Sequence, residues 1–195
     1  MKITPQDQQA ILQLIERGVE ASSSKLAAIS GTEWQIRTTS LKACTEPQDY
    51  EKLGQPGQYV FGAHCQAPGK MCLALFPERS AALLARTFLA GSGKGLDTTP
   101  QMQELAVAEV SNIVINAAAG AVADRCGMAF ILSAPKSVRG ARAEVIKAAF
   151  GDFKPFGKIF SAYIHLASHE LAADCTLMLM LDDLIVNFIL STVDR

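Results

Sequence analysis

The 195-residue chain lacks most of the features that assign a function at sight. It has no positive surplus: 18 Lys and Arg stand against 19 Asp and Glu, a formal charge of −1, which excludes nucleic-acid binding through bulk electrostatics. Its five cysteines (Cys44, Cys65, Cys72, Cys126, Cys175) are odd in number and form no CxxC pair, which argues against a disulfide framework. The first seven residues are polar and lead into an amphipathic segment, so no signal peptide is expected. The most apolar run, residues 177–190, is broken by Asp182 and Asp183 and falls short of the roughly 20 residues of a membrane span. Charged residues make up only 19% of the chain and apolar ones 49%, which suits a buried core and not a disordered chain. A cytoplasmic globular protein is the expectation.

Catalytic signatures are scarce too. In the loop 91–95, Lys94 is followed by Gly95 instead of Ser or Thr, and Phe88 stands where a phosphate loop needs its first glycine. His165 and His169 are four apart, but on a segment that reads as a strand and its turn, without HExxH and without a third ligand, so no metal is expected. No GxSxG elbow is present. Hydrolysis through a side-chain nucleophile has no support.

What the chain does have is regular punctuation. Thr4-Pro5 opens a helical pattern over 4–29 that Gly31 stops. Strand-like stretches follow at 34–39, 59–66 and 70–76. A second helix is expected over 77–90, and Thr99-Pro100 then opens a third that runs to Gly127. A strand over 128–133 ending at Pro135, a short helix within 139–150, strands at 158–167 and 174–181 and a terminal element over 183–192 complete the reading. Laying Gly31 on Gly127 aligns the halves at an offset of 96 residues, each glycine followed by an aromatic, Trp34 or Phe130. Two copies of a helix-then-strands unit, about 4–95 and 99–195 of one domain, would account for this; so would the general likeness of helix–strand units.

The third helix carries the chemistry. On a helical wheel Glu109, Asn112 and Asn116 share a sector of roughly 60°, with Val107, Val110, Val114, Ala118 and Ala121 opposite. Met102, Leu105 and Ile113 share the polar face. An ordinary solvated face with stray apolar side chains would look like this, and so would a docking surface with an acid and an amide at its centre.

The stretch 105–135 resembles the signature of the CheC/CheX/FliY family of phosphatases, in which Asp or Ser is followed after three residues by Glu, after two by Asn and after 22 by Pro. Here Glu109, Asn112 and Pro135 keep that spacing, with residues 113–134 between the last two. The run 75–80 also resembles the family's strand-to-helix junction. Leu105 departs from the pattern, standing where Asp or Ser is preferred. In the first helix the offset puts Gln13 and Glu16 at the Glu and Asn places and Thr39 at the proline place, so a single site is expected.

The resemblance implies an α/β fold in the α+β sense: a pseudo-twofold repeat with a largely antiparallel sheet and two long related helices side by side on one face. It implies hydrolysis of the aspartyl phosphate on a CheY-type response regulator, the protein partner, in chemotaxis or another two-component pathway. Asn112 would orient the attacking water, because an amide both donates and accepts hydrogen bonds. Glu109 would pair with the receiver's lysine. Asn116, Met102, Leu105 and Ile113 would support docking. The chain itself would need no cofactor, since the Mg²⁺ belongs to the partner receiver. Two other readings stay open: a non-catalytic receiver-binding or flagellar-switch-like adaptor, and a small-ligand sensor using the loop 91–95 or the turn 54–57. Homodimerisation is left open.

Overall fold

The computed structural model describes residues 3–44, 57–90, 98–127, 129–151, 153–155 and 157–193. The glycine-rich loop 91–95 and positions 54–56 of the turn at 54–57 lie outside the described residues.

Both Thr-Pro sequences do what their chemistry predicts. Helix α1 (Pro5–Ser30) starts at Thr4, whose Oγ1 accepts from the Asp7 N–H at 3.2 Å while Asp7 Oδ2 accepts from the Thr4 N–H at 2.8 Å. The longest helix, α3 (Pro100–Cys126), starts at Thr99, which accepts from the Met102 N–H at 3.3 Å. Each ends on a left-handed glycine, Gly31 at φ 68° and Gly127 at φ 60°, a conformation that side chains rarely adopt.

Between them come β1 (Gln35–Cys44), β2 (Tyr59–Ala67), β3 (Lys70–Pro77) and helix α2 (Glu78–Ala90). After α3 come β4 (Lys136–Ala141), α4 (Arg142–Gly151), β5 (Ile159–Ser168), β6 (Ala173–Asp182) and α5 (Asp183–Val193). The strands form one six-stranded antiparallel sheet in the order β1-β5-β6-β3-β2-β4. Exchanging β1, β2 and β3 for β4, β5 and β6 turns that order into its own reverse, which is the pseudo-twofold arrangement.

The expected strand over 128–133 is a correction: residues 129–135 are outside regular structure and the strand begins at Lys136. Pro135 has no N–H to give to a ladder, so pairing with β2 starts one residue later, Lys136 opposite His64. The segment before it is tied down by other means. Ser133 N–H donates to the Gln66 carbonyl at 2.9 Å, the Gln66 N–H donates to Ser133 Oγ at 3.1 Å, and the Lys70 ammonium sits 4.0 Å from the Phe130 ring centre. In consequence Arg139 belongs to β4, not to the short helix, which begins at Arg142.

The larger core lies under the helices and includes Ile11, Ile15, Val107, Val110, Val114, Ile164, Leu177 and Leu179; a smaller one lies under α4, with Met71, Leu73, Ile146 and Met178. Burial of α3 is broader than the expected stripe, because Ala106, Ser111, Ile115, Ala119 and Val122 are inside as well. By length and hydropathy α3 passes for a membrane span, yet half of that window is buried in the fold, as in the core helix of a globular protein. Cys65, Cys72, Cys126 and Cys175 are buried and free, and burial pushes their thiols up.

Helices α1 and α3 touch where both are small. A Cβ on Gly18 would overlap the Ala121 methyl and come within 2.7 Å of the Ala117 carbonyl oxygen. Intrinsic propensity would favour alanine over glycine in mid-helix by about 1 kcal/mol. Overpacking against a fixed backbone atom costs about 1–3 kcal/mol and outweighs it. Gly18→Ala is therefore expected to lower the urea midpoint, and Gly18→Val to lower it further. Combining Gly18→Ala with Ala121→Gly should recover part of the loss; equal midpoints for all variants would mean the helices are not in contact there.

Candidate functional site

Glu109, Asn112 and Asn116 stand along the outer edge of α3 as the wheel predicts: Glu109 and Asn116 are exposed and Asn112 is half-buried. Asn116 Nδ2 donates to Asn112 Oδ1 at 2.8 Å, one helical turn apart. That bond fixes the Asn112 amide. Its oxygen keeps one lone pair and its NH₂ stays available to donate, so one group can both accept from and donate to a bound water. Among the described residues no hydrogen bond joins Glu109 to Asn112, and the Glu109 side chain is exposed.

The crest separates two depressions. On one side, between α2 and α3, Phe88, Met102 and Leu105 line an apolar hollow of ≈ 340 Å³ that Glu109 borders. Leu105 is 72% exposed there, at the position where the signature calls for Asp or Ser. On the other side, between α1 and α3, a groove of ≈ 580 Å³ runs past Asn112, Ile113 and Asn116 and is faced by Leu14, Arg17 and Lys25 of α1. The three apolar residues expected around the polar pair are thus split, Met102 and Leu105 to one side and Ile113 to the other.

Pro135 is exposed on the connection into β4. Just beyond it, Arg139 Nε pairs with Glu104 Oε1 at 3.0 Å, tying β4 to the first part of α3. The corresponding place in the first half is used differently. The Thr39 hydroxyl of β1 donates to the Glu16 carboxylate of α1, so the residue at the asparagine place is engaged inside the fold by the residue at the proline place.

The sequence reading did not single out Arg17 and Lys25, and it named Phe88 at the glycine place of the failed phosphate loop and not beside the Glu–Asn pair. Gly18 was the available signal, since an isolated glycine inside a helical pattern often marks a close approach, here the one that forms the α1–α3 groove.

A second polar cluster lies at β5 and β6, where Arg142, Tyr163, His165, Asp174 and Thr176 line a depression of ≈ 240 Å³. Asp174 accepts from Ser80 Oγ at 2.9 Å and lies 3.2 Å from His165 Nε2. The aspartate stands between serine and histidine, so the histidine is not placed to take the serine's proton. His169 lies in the turn after β5, away from any such pairing in the described hydrogen bonds. This cluster reads as structural.

By sequence, no family model matches the chain, and no curated protein matches it. By structure it is similar to several solved proteins. FliY from Thermotoga maritima superposes with a TM-score of 0.70 at 14% identity, covering 100% of this chain and 98% of that one. The FliM middle domain from H. pylori gives 0.62 at 8%, covering 97% and 99%. The chemotaxis protein CheX from Desulfovibrio desulfuricans gives 0.57 at 13%, covering 88% and 100%. The chain has the CheC/CheX/FliY-type fold. At these identities the likeness establishes architecture: the antiparallel sheet and the paired long helices expected from the sequence.

The His165 bond, ahead of the Ser80 bond, holds the Asp174 carboxyl below the ordinary carboxylate range against the opposing effect of burial. A depressed folded pKa contributes stability that is complete above the unfolded value, about 3.9, and is lost as pH falls through the folded one. Asp174→Asn should therefore lower the thermal midpoint at pH 6, with the difference from wild type shrinking as pH drops below about 4. A difference constant across that range would remove the ionised aspartate from the account.

Proposed function

We propose that this chain hydrolyses the aspartyl phosphate of a CheY-type response regulator, using the exposed edge of α3. One observation carries the reading: an exposed Glu109 and a half-buried Asn112 share one turn, at the signature spacing to Pro135, on a fold shared with FliY and CheX. The scissile bond and the Mg²⁺ would belong to the partner, so the chain has to supply position and not a nucleophile.

Docked on the receiver, Asn112 accepts one hydrogen bond from the attacking water and donates another, holding it in line with the departing carboxylate. The water oxygen bonds to phosphorus as the acyl P–O bond breaks, and the water's proton ends on the phosphate product. Glu109 pairs with the receiver's lysine and fixes the register of the helix. Asn116 orients the amide of Asn112. Met102 and Leu105 dock on one side of the crest and Ile113 on the other. Glu16, occupied by Thr39, gives the first half no equivalent site. In this reading residues 1–195 are one cytoplasmic domain of two related halves, about 4–95 and 99–195.

A second reading is favoured by specific observations. FliM middle domains share the fold, among them H. pylori FliM in a complex with FliG, at a TM-score of 0.62 and 12% identity. Leu105 also puts an exposed leucine where the signature has a polar residue. A flagellar-switch-like adaptor that binds without hydrolysis would suit both.

The test is the decay of a phosphorylated CheY-type receiver with wild type and single variants, alongside their affinities. Asn112→Ala should remove on the order of 10²-fold in rate while leaving binding intact. Glu109→Ala should weaken binding by about tenfold. Asn116→Asp, which cannot donate to Asn112, should slow hydrolysis by about tenfold at unchanged affinity, because only the amide's orientation is lost. If wild type binds the phosphorylated receiver without shortening its lifetime, the adaptor reading replaces the enzyme.

A further inference from the structure

The α1–α3 groove has a charge pattern that the Glu–Asn motif does not explain. One wall presents Arg17 and Lys25 from α1, both exposed, and the facing wall presents the amides of Asn112 and Asn116. Asp124 is the one carboxylate lining it. Among the described residues no ion pair or hydrogen bond engages Arg17 or Lys25, so neither cation is committed to the fold. The floor is made of Gly18, Ala117 and Ala121, which lets another chain's backbone sink between the taller side chains.

We infer that this groove seats the anionic segment of the protein partner that flanks its phosphorylated aspartate, with Arg17 and Lys25 as the contacts that recognise it. The identity of the partner rests on the hydrolysis proposed above; the groove and its charges do not. The Mg²⁺ beside an acyl phosphate offsets that group's two negative charges, and the carboxylates that hold the metal then remain as negative charge on the segments around it. Whatever chain delivers that group to Asn112 therefore brings surplus negative charge to the rim of the crest. The groove answers it with the two cations Arg17 and Lys25 against the single carboxylate of Asp124. Helix α1, whose own Glu–Asn equivalent is gone, would in this way serve the site that α3 retains.

The experiment uses a CheY-type receiver loaded with Mg²⁺ and beryllofluoride, a stable stand-in for the acyl phosphate. Its affinity for the full chain is measured by fluorescence anisotropy at about 50 and 200 mM salt, and hydrolysis of the phosphorylated receiver is followed at saturating protein. Arg17→Glu with Lys25→Glu should weaken binding about 10²-fold and flatten its salt dependence, while Arg17→Lys stays within about threefold of wild type. Thermal midpoints should not move, because both side chains are exposed, and the saturated rate should persist, because neither touches the water.

A double variant that binds within about twofold of wild type overturns the inference and leaves the hydrolysis reading standing. Weakened binding by the double variant, with a wild type that does not hydrolyse, supports the groove and overturns the enzyme. Self-association of wild type, abolished by the same reversals without any effect on receiver binding, makes a second copy the occupant and overturns the inference. A wild type that does not bind the loaded receiver overturns both.

Discussion

The close contact between α1 and α3 at Gly18 governs the rest of the molecule. Two long helices can lie side by side on one face of a six-stranded sheet only if their axes come near enough to cover it, and here backbone meets backbone across Gly18, Ala117 and Ala121. Small residues at the floor also mean that longer side chains on either side of it enclose a groove instead of filling it. The contact that closes the core therefore shapes the surface. It leaves Asn112 on a ridge, with an apolar hollow on one flank and a cationic groove on the other.

Much of this was legible before any coordinates. The helix ends were written in local chemistry, Thr-Pro at one end and a left-handed glycine at the other, and such signals need no tertiary context. The strands at 59–67, 70–77, 159–168 and 173–182 were legible because continuous apolar runs bounded by turn residues suit a sheet buried on both faces. The failure at 128–133 has an equally local cause. Apolar periodicity there describes burial of Phe130 and Leu132 against the core, but a ladder also needs donors in register, and Pro135 interrupts them.

The candidate site was legible as a pattern on one helix and not as a surface. A wheel places Glu109, Asn112 and Asn116 together, and the structure adds the bond that locks two of them. It could not place Arg17 or Lys25: Gly18 marks one face of α1 for a close approach, but nothing in the sequence says which face of α3 it meets. Nor could it show that Thr39 engages Glu16, a contact between residues 23 apart. Aligning the two halves gave the positions; only the fold shows that one pair faces outward and the other is turned to internal use.

The strand order carries a consequence for how such a chain can fold. β1 pairs with β5 and β4 pairs with β2, so each half lends its first strand to the ladder of the other. An isolated half would keep its helices and a hairpin but have an orphaned strand. Two copies of one half, trading first strands, would restore the same six-strand order. Fusion turns that encounter between molecules into a loop closure. It also leaves a long search, because neither edge of the sheet can form until segments more than 70 residues apart have met.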